Sequence, residues 1–137
     1  MVYILTDEQE LWKKTMRDFV EKEIAPKATE IDETGIIPDE IIKKIAKQGL
    51  LGAFIPEEYG GQAMEHISEL ITMEEIARAD PNTAIFIEVP VFIGALIAYV
   101  GTEEQKGEYL SPMCKGEKIV QFGAAGPEGG SNLLFEP

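Results

Sequence analysis

One cysteine and one histidine are all that this chain holds of the two residue types that most often ligate transition metals. A single thiol, Cys114, excludes an internal disulfide and fits a reducing compartment. With no histidine close to it in sequence, a buried or inert thiol is the expectation. His66 has no neighbouring cysteine or second histidine, so no metal site is expected. Basic residues are scarce too: 12 Lys and Arg against 25 Asp and Glu leave a formal charge of −13. A nucleic-acid binder needs a basic face to neutralise phosphates, and this balance argues against one. The opening MVYILTDEQE has neither a basic region nor a long apolar run. No secretory signal is read there, and a cytoplasmic location is expected.

What is present is the material of one helical domain. Hydrophobic residues make up 45% of 137 positions, enough for a core. Thr6 and Gln9 have capping-box spacing and open a first helix, along which Trp12, Met16, Phe19, Val20 and Ile24 recur at helical intervals. Pro26 should end or kink it, with ATEID adding a turn before Gly35. A second helix starts near Pro38, buries Ile41, Ile42 and Ile45, and stops at Gly49. Residues 50–62, LLGAFIPEEYGGQ, read as irregular. A third helix covers 66–79, with Ile67, Leu70, Ile71 and Ile76 facing inward. Thr102 and Gln105 form a second capping box, opening a helix that carries Pro112 near its end. Arg17 and Arg78 are expected in surface or interhelical ion pairs. A strand is expected over 119–122, from the β-branched Ile119 and Val120.

Two stretches carry the functional question. Residues 84–100, AIFIEVPVFIGALIAYV, hold Glu88 as their one charge. A membrane span wants about 20 apolar residues, and Glu88 and Pro90 are costly in lipid. A helix buried inside a helical protein is therefore expected, and no membrane partner. A carboxylate in such a helix needs a partner or a raised pKa. Glu88 is either a structural carboxylate or part of the wall of a ligand pocket. The second stretch is QFGAAGPEGGSN, residues 121–132. It lacks the Gly-Lys-Ser/Thr of a P-loop, and no helix follows it as a dinucleotide fingerprint requires. It is either a plain turn or a place where a ligand approaches the backbone closely.

In order along the chain, GLLGAFIPEEYGGQ, TMEEIARADPNTAI, VGTEEQKGEYLSPMCKGEKI and FGAAGPEGGSN resemble segments of the flavin-dependent acyl-CoA dehydrogenases. The likeness runs nearly end to end. It implies an all-α fold: a helical N-terminal domain over 1–117, then the first strand of a middle β-domain over 118–137. The final segment falls where the family commonly reads F-x-L-T-E-P-x-A-G-S-D, beside the flavin and the thioester. Phe122, Pro127, Gly130 and Ser131 match. Ala125 stands in place of a hydroxyl that bonds the flavin ring, Gly126 in place of Glu and Asn132 in place of Asp. By this resemblance Phe122, Ala124, Ala125, Gly130 and Ser131 would contact FAD, and Glu88 and Ser131 the acyl-CoA. The implied reaction is α,β-dehydrogenation of an acyl-CoA. Its base is a glutamate in a C-terminal domain, so no catalytic residue is assigned in this chain, which is expected to be inactive alone. An electron-transferring flavoprotein and a homo-oligomer, a tetramer in the family, are the implied partners. A non-catalytic helical module with this fold, and an acyl-CoA oxidase or flavin monooxygenase relative, are the alternative readings.

Overall fold

The computed structural model describes residues 4–123. Ala124, Ala125, Gly126, Pro127, Gly130, Ser131 and Asn132 lie outside the described residues. Among the described residues six α-helices follow one another: α1 (Asp7–Glu23), α2 (Ala28–Thr34), α3 (Asp39–Lys47), α4 (His66–Ala79), α5 (Pro81–Val100) and α6 (Glu103–Cys114). Short 3-10 turns at Ala25–Lys27, Leu50–Gly52 and Glu57–Tyr59 fill the gaps. The fold is all-α among the described residues. The strand expected at 119–122 is not formed; among the described residues there is no other strand to share a hydrogen-bond ladder with it.

Local chemistry accounts for the helix ends. The Thr6 backbone N–H donates to Gln9 Oε1 at 3.0 Å, and the Gln9 N–H donates to Thr6 Oγ1 at 3.3 Å. Two of the four orphan donors at the helix start are so satisfied. Thr102 and Gln105 repeat the arrangement at α6. Pro26 ends α1 as expected, and the ATEID turn forms as α2, closed by Gly35 in the left-handed region. Gly49, at φ +77°, turns the chain away just after α3. The PEEYGG turn uses its two glycines differently. Gly60 adopts φ +87°, whereas a Cβ on Gly61 would sit 1.9 Å from the carbonyl oxygen of Ile55. That close approach lets residues 62–64 hydrogen-bond back to Gly52, Ile55 and Ala53.

The main core gathers Met16 and Val20 of α1 with Ile24 just past its end, Ile41 and Ile45 of α3, Ile76 of α4 and Ile87 of α5. Each fully buried side chain of this kind contributes about 1.5–3 kcal/mol. A second cluster of Ile55, Leu110, Met113 and Cys114 ties α6 to the irregular segment, and Val120 packs against it. Cys114 is buried as expected, and burial pushes its thiol pKa up.

Helix α4 departs from the expected pattern. Ile71 and Ile76 are buried, but Leu70 is 59% exposed, and Glu69, Thr72 and Glu75 turn inward instead. The reason is that α4 meets α1 through a polar seam. Trp12 Nε1 donates to Ser68 O at 3.1 Å and Thr72 Oγ1 at 2.9 Å. Gln9 Nε2 donates to Glu65 Oε1 at 2.6 Å. Arg17 grips Glu75 with two bonds, Nε at 3.0 Å and Nη2 at 2.7 Å, and Arg78 adds a contact at 3.4 Å. Buried polar groups persist where they are paired in this way. Arg78 also reaches Glu21 of α1, Nη2 to Oε1 at 3.3 Å, so both arginines make the surface or interhelical pairs expected of them.

Hydrogen bonds from Arg17 hold the Glu75 carboxyl below the usual carboxylate range, against the opposing effect of its burial. A depressed carboxylate stabilises the fold above its unfolded pKa, and that contribution is lost as pH falls through the folded value. Arg17→Met should therefore lower the melting temperature at pH 7 by about 5–10 °C. It should also reduce the difference between melts at pH 7 and pH 3. An unchanged acid limb in the variant would remove Glu75 as its source.

Candidate functional site

Asp80 alone separates α4 from α5. Its buried carboxylate accepts the backbone N–H of Asn82 at 3.4 Å and of Thr83 at 2.9 Å, and also the Thr83 hydroxyl. Pro81 occupies the first helical position, where its missing N–H costs nothing. The chain therefore reverses within one residue, and α5 packs back along α4.

The expectation that α5 is buried needs correction. It is apolar and long enough to cross a membrane by length and composition, yet it is covered on one side only. Thr83, Ala84, Ile87, Val91 and Gly94 face the protein. Gly94 is needed there, since a Cβ would lie 2.8 Å from Ile55 Cδ1. Ile85, Phe92, Leu96 and Tyr99 lie on the uncovered side, Phe92 56% exposed and Tyr99 88% exposed. Their spacing of 7, 4 and 3 residues makes one continuous stripe on a helix.

Glu88 stands within that stripe, between Ile85 and Phe92 at helical spacing, and is exposed. The constraint on a carboxylate enclosed in an apolar helix does not apply, because Glu88 is exposed. Phe122 comes to the same face. Its ring packs edge-on against Phe92, with centroids 6.3 Å apart and planes at 90°. Phe122 thus comes to the face of α5 on which Glu88 stands one turn from Phe92. The remaining expected contacts, Ala124, Ala125, Gly130 and Ser131, are outside the described residues.

One residue here escaped the sequence reading. Glu69 is only 9% exposed and its carboxyl has no hydrogen bond or ion pair among the described residues. Burial pushes its pKa up, the charge of Glu88 pushes it further, and His66 pulls it back. The signal was available: Glu69, Thr72 and Ile76 share one face of α4 at helical spacing. The apolar Leu70, one residue on, points to a different face and is exposed. His66 is the first residue of α4, as expected, and its ring meets Phe54 edge-on at 4.8 Å.

A cavity of about 620 Å³ elsewhere is lined by Lys43, Lys47, Gln48, Tyr59, Ser111 and Lys115, among others. It includes neither Glu88 nor Phe122. Lys47 and Lys115 sit at the C-terminal ends of α3 and α6, where cations suit the helix dipole. A groove of about 520 Å³ between α1 and α4, lined by Leu11, Trp12, Met64 and Ser68, is likewise separate from Glu88.

Comparison with known proteins agrees on one family. The model of the acyl-CoA dehydrogenase N-terminal domain matches residues 6–117. A 3-(aryl)acrylate reductase of Clostridium sporogenes is 42% identical over 128 residues, covering 93% of this chain and 34% of the relative. Butyryl-CoA dehydrogenase from Megasphaera elsdenii superposes with a TM-score of 0.82 at 36% identity, over 97% of this chain and 36% of that one. Glutaryl-coenzyme A dehydrogenase in its glutaryl-CoA complex gives 0.88 at 30% identity, over 99% of this chain and 35% of that one. The chain spans about a third of the length of the relatives it matches.

A carboxyl whose pKa is raised by folding destabilises the native state once it ionises, so its cost appears as pH rises through the folded value. Glu69→Gln should therefore raise the melting temperature at pH 7, by about 2–5 °C, and change it less at pH 4. A variant less stable than the parent at pH 7 would show that Glu69 has a partner that stabilises it.

Proposed function

This chain belongs to the acyl-CoA dehydrogenase family, and on that premise we propose that it supplies the helical wall of an acyl-CoA site in an FAD-dependent dehydrogenase. The observation that carries the reading is the uncovered stripe of α5, with Glu88 set within it and Phe122 beside it through Phe92. An apolar face with one convergent polar group is what a ligand pocket is made of. Ile85, Phe92 and Leu96 would exclude water from the acyl chain, and Glu88 would meet its far end.

The described residues suit the flavin at one point. Phe122 is 59% exposed and its edge contact with Phe92 leaves ring surface free to pack on a planar group. Ala124, Ala125, Gly130 and Ser131 would continue along the cofactor, with backbone groups rather than a hydroxyl at Ala125. Ser131 would also touch the substrate. Bound FAD supplies the hydride acceptor for α,β-dehydrogenation; this chain binds and orients, and contributes no base. Residues 118–137 would begin the next domain. An electron-transferring flavoprotein as electron acceptor, a homo-oligomer and a cytoplasmic site of action complete the proposal.

The test uses the flavin-loaded enzyme that contains this domain. Anaerobic addition of butyryl-CoA should bleach the visible flavin absorbance, and no bleaching by any acyl-CoA would contradict the reading. Glu88→Gln should then shift the preference between short and long acyl chains while leaving the melting temperature nearly unchanged, as befits an exposed side chain. An unshifted preference would remove Glu88 from the pocket.

A further inference from the structure

The cavity of about 620 Å³ lies where the ends of α3 and α6 meet the PEEYGG turn. Contacts distant in sequence tie its walls together. The Ser111 hydroxyl donates to the Tyr59 carbonyl at 2.8 Å, and the Gln62 N–H donates to the Gly52 carbonyl at 3.0 Å. A Cβ on Gly49 would lie 2.5 Å from Gln62 Nε2, so the bare glycine lets that amide rest on the end of α3.

The lining has the charge that the chain lacks. Acidic residues outnumber basic ones by 25 to 12, yet Lys43, Lys47 and Lys115 line the cavity with neither Asp nor Glu among them. None of the three makes an ion pair among the described residues, whereas Lys22, Lys27, Lys44, Lys106 and Lys118 all do. The helix ends account for only part of this charge. Each C-terminus carries about half a negative elementary charge, so three lysines at two helix ends leave a surplus of roughly two positive charges. Lys43 lies before the last turn of α3, so no helix end calls for it. It stands four residues from Lys47, where like charges on a helix repel. Gln48 and Gln62 add side-chain amide donors. The nearby Glu103, which accepts the Tyr59 hydroxyl at 3.3 Å, is already paired with Lys106 at 2.9 Å.

We propose that this cavity binds a nucleoside diphosphate, with its phosphates among Lys43, Lys47 and Lys115 and its base against Tyr59. Adjacent phosphates supply the negative charge that the surplus calls for, and charge-assisted hydrogen bonds to them are the strong kind. The volume is that of a site for a whole small molecule rather than for a lone phosphate. Tyr59 brings an aromatic ring to the lining, held at its carbonyl by Ser111 and at its hydroxyl by Glu103, and a planar base can stack on it. The site includes no residue of the α5 stripe and does not depend on the acyl-CoA reading. CoA also carries an adenosine diphosphate, so a free nucleotide and the nucleotide part of CoA share this chemistry.

Equilibrium dialysis of labelled ADP against the flavin-loaded enzyme that contains this domain tests the assignment. Binding should saturate, inorganic pyrophosphate should compete with it, and added salt should weaken it. Lys47→Gln should raise the Kd by about tenfold, and Lys43→Gln and Lys115→Gln should act in the same direction. Lys47→Arg, which keeps the charge, should retain binding. All three lysines are exposed, so the variants should melt as the parent does. Lys14→Gln removes the same charge from an exposed position on α1 and should leave the Kd nearly unchanged. ADP that stays bound in excess CoA marks a site for the free nucleotide. ADP that CoA displaces, with the same dependence on the lysines, makes the nucleotide part of CoA the occupant. No saturable binding, binding that the three lysine substitutions leave unaltered, or an equal loss in Lys14→Gln overturns the inference.

Discussion

Everything functional in this domain depends on the cap that Asp80 forms between two helices. The buried carboxylate gathers the first donors of α5, and Pro81 tolerates the loss of its own. With no loop residues to spare, α5 can only return along α4. That single geometric decision places one side of α5 against Ile76 and the main core and leaves the other side uncovered. A substitution at Asp80 would disturb the stripe and the Phe92–Phe122 contact together.

The two faces of α4 divide the labour of holding that arrangement. Toward α1 the helix is polar, and its stability comes from hydrogen bonds that are all answered: Trp12 to Thr72, Gln9 to Glu65, Arg17 to Glu75. Such a seam fixes register, because a shift of one residue would leave several buried polar groups unpaired. Near α5 the same helix keeps Glu69 unanswered. One side of the helix is thus held rigidly, and the other keeps a buried carboxyl without a partner among the described residues.

Much of the fold was legible before any coordinates. Thr6 with Gln9, Thr102 with Gln105, Gly35 and Gly49 state their helix ends in local chemistry, and the helices begin and end there. The 66–79 helix has the bounds its sequence suggested. What failed was the inward face of α4, where hydrophobicity pointed to Leu70 and tertiary hydrogen bonding chose Thr72 and Glu75. The apolar run of α5 announced the helix but not its one-sided burial, since composition cannot tell a helix covered all round from one covered on one side. The strand expected at 119–122 rested on β-branched residues, and those form a strand only beside another strand. Within the site, Glu88 and Phe122 were named from the segments around them. Glu69 was not, because its importance lies in a missing partner, which only packing reveals.

The central claim is that the α5 face around Glu88 and Phe92 receives the acyl end of a thioester. An acyl-CoA bearing a photoreactive group at its far end, irradiated in the flavin-loaded enzyme, tests it directly. Peptide mapping should find the label within residues 85–96 of α5, and unlabelled competitor should remove it. Competable label confined instead to the lysine-lined cavity around Lys47 and Lys115 would contradict the account.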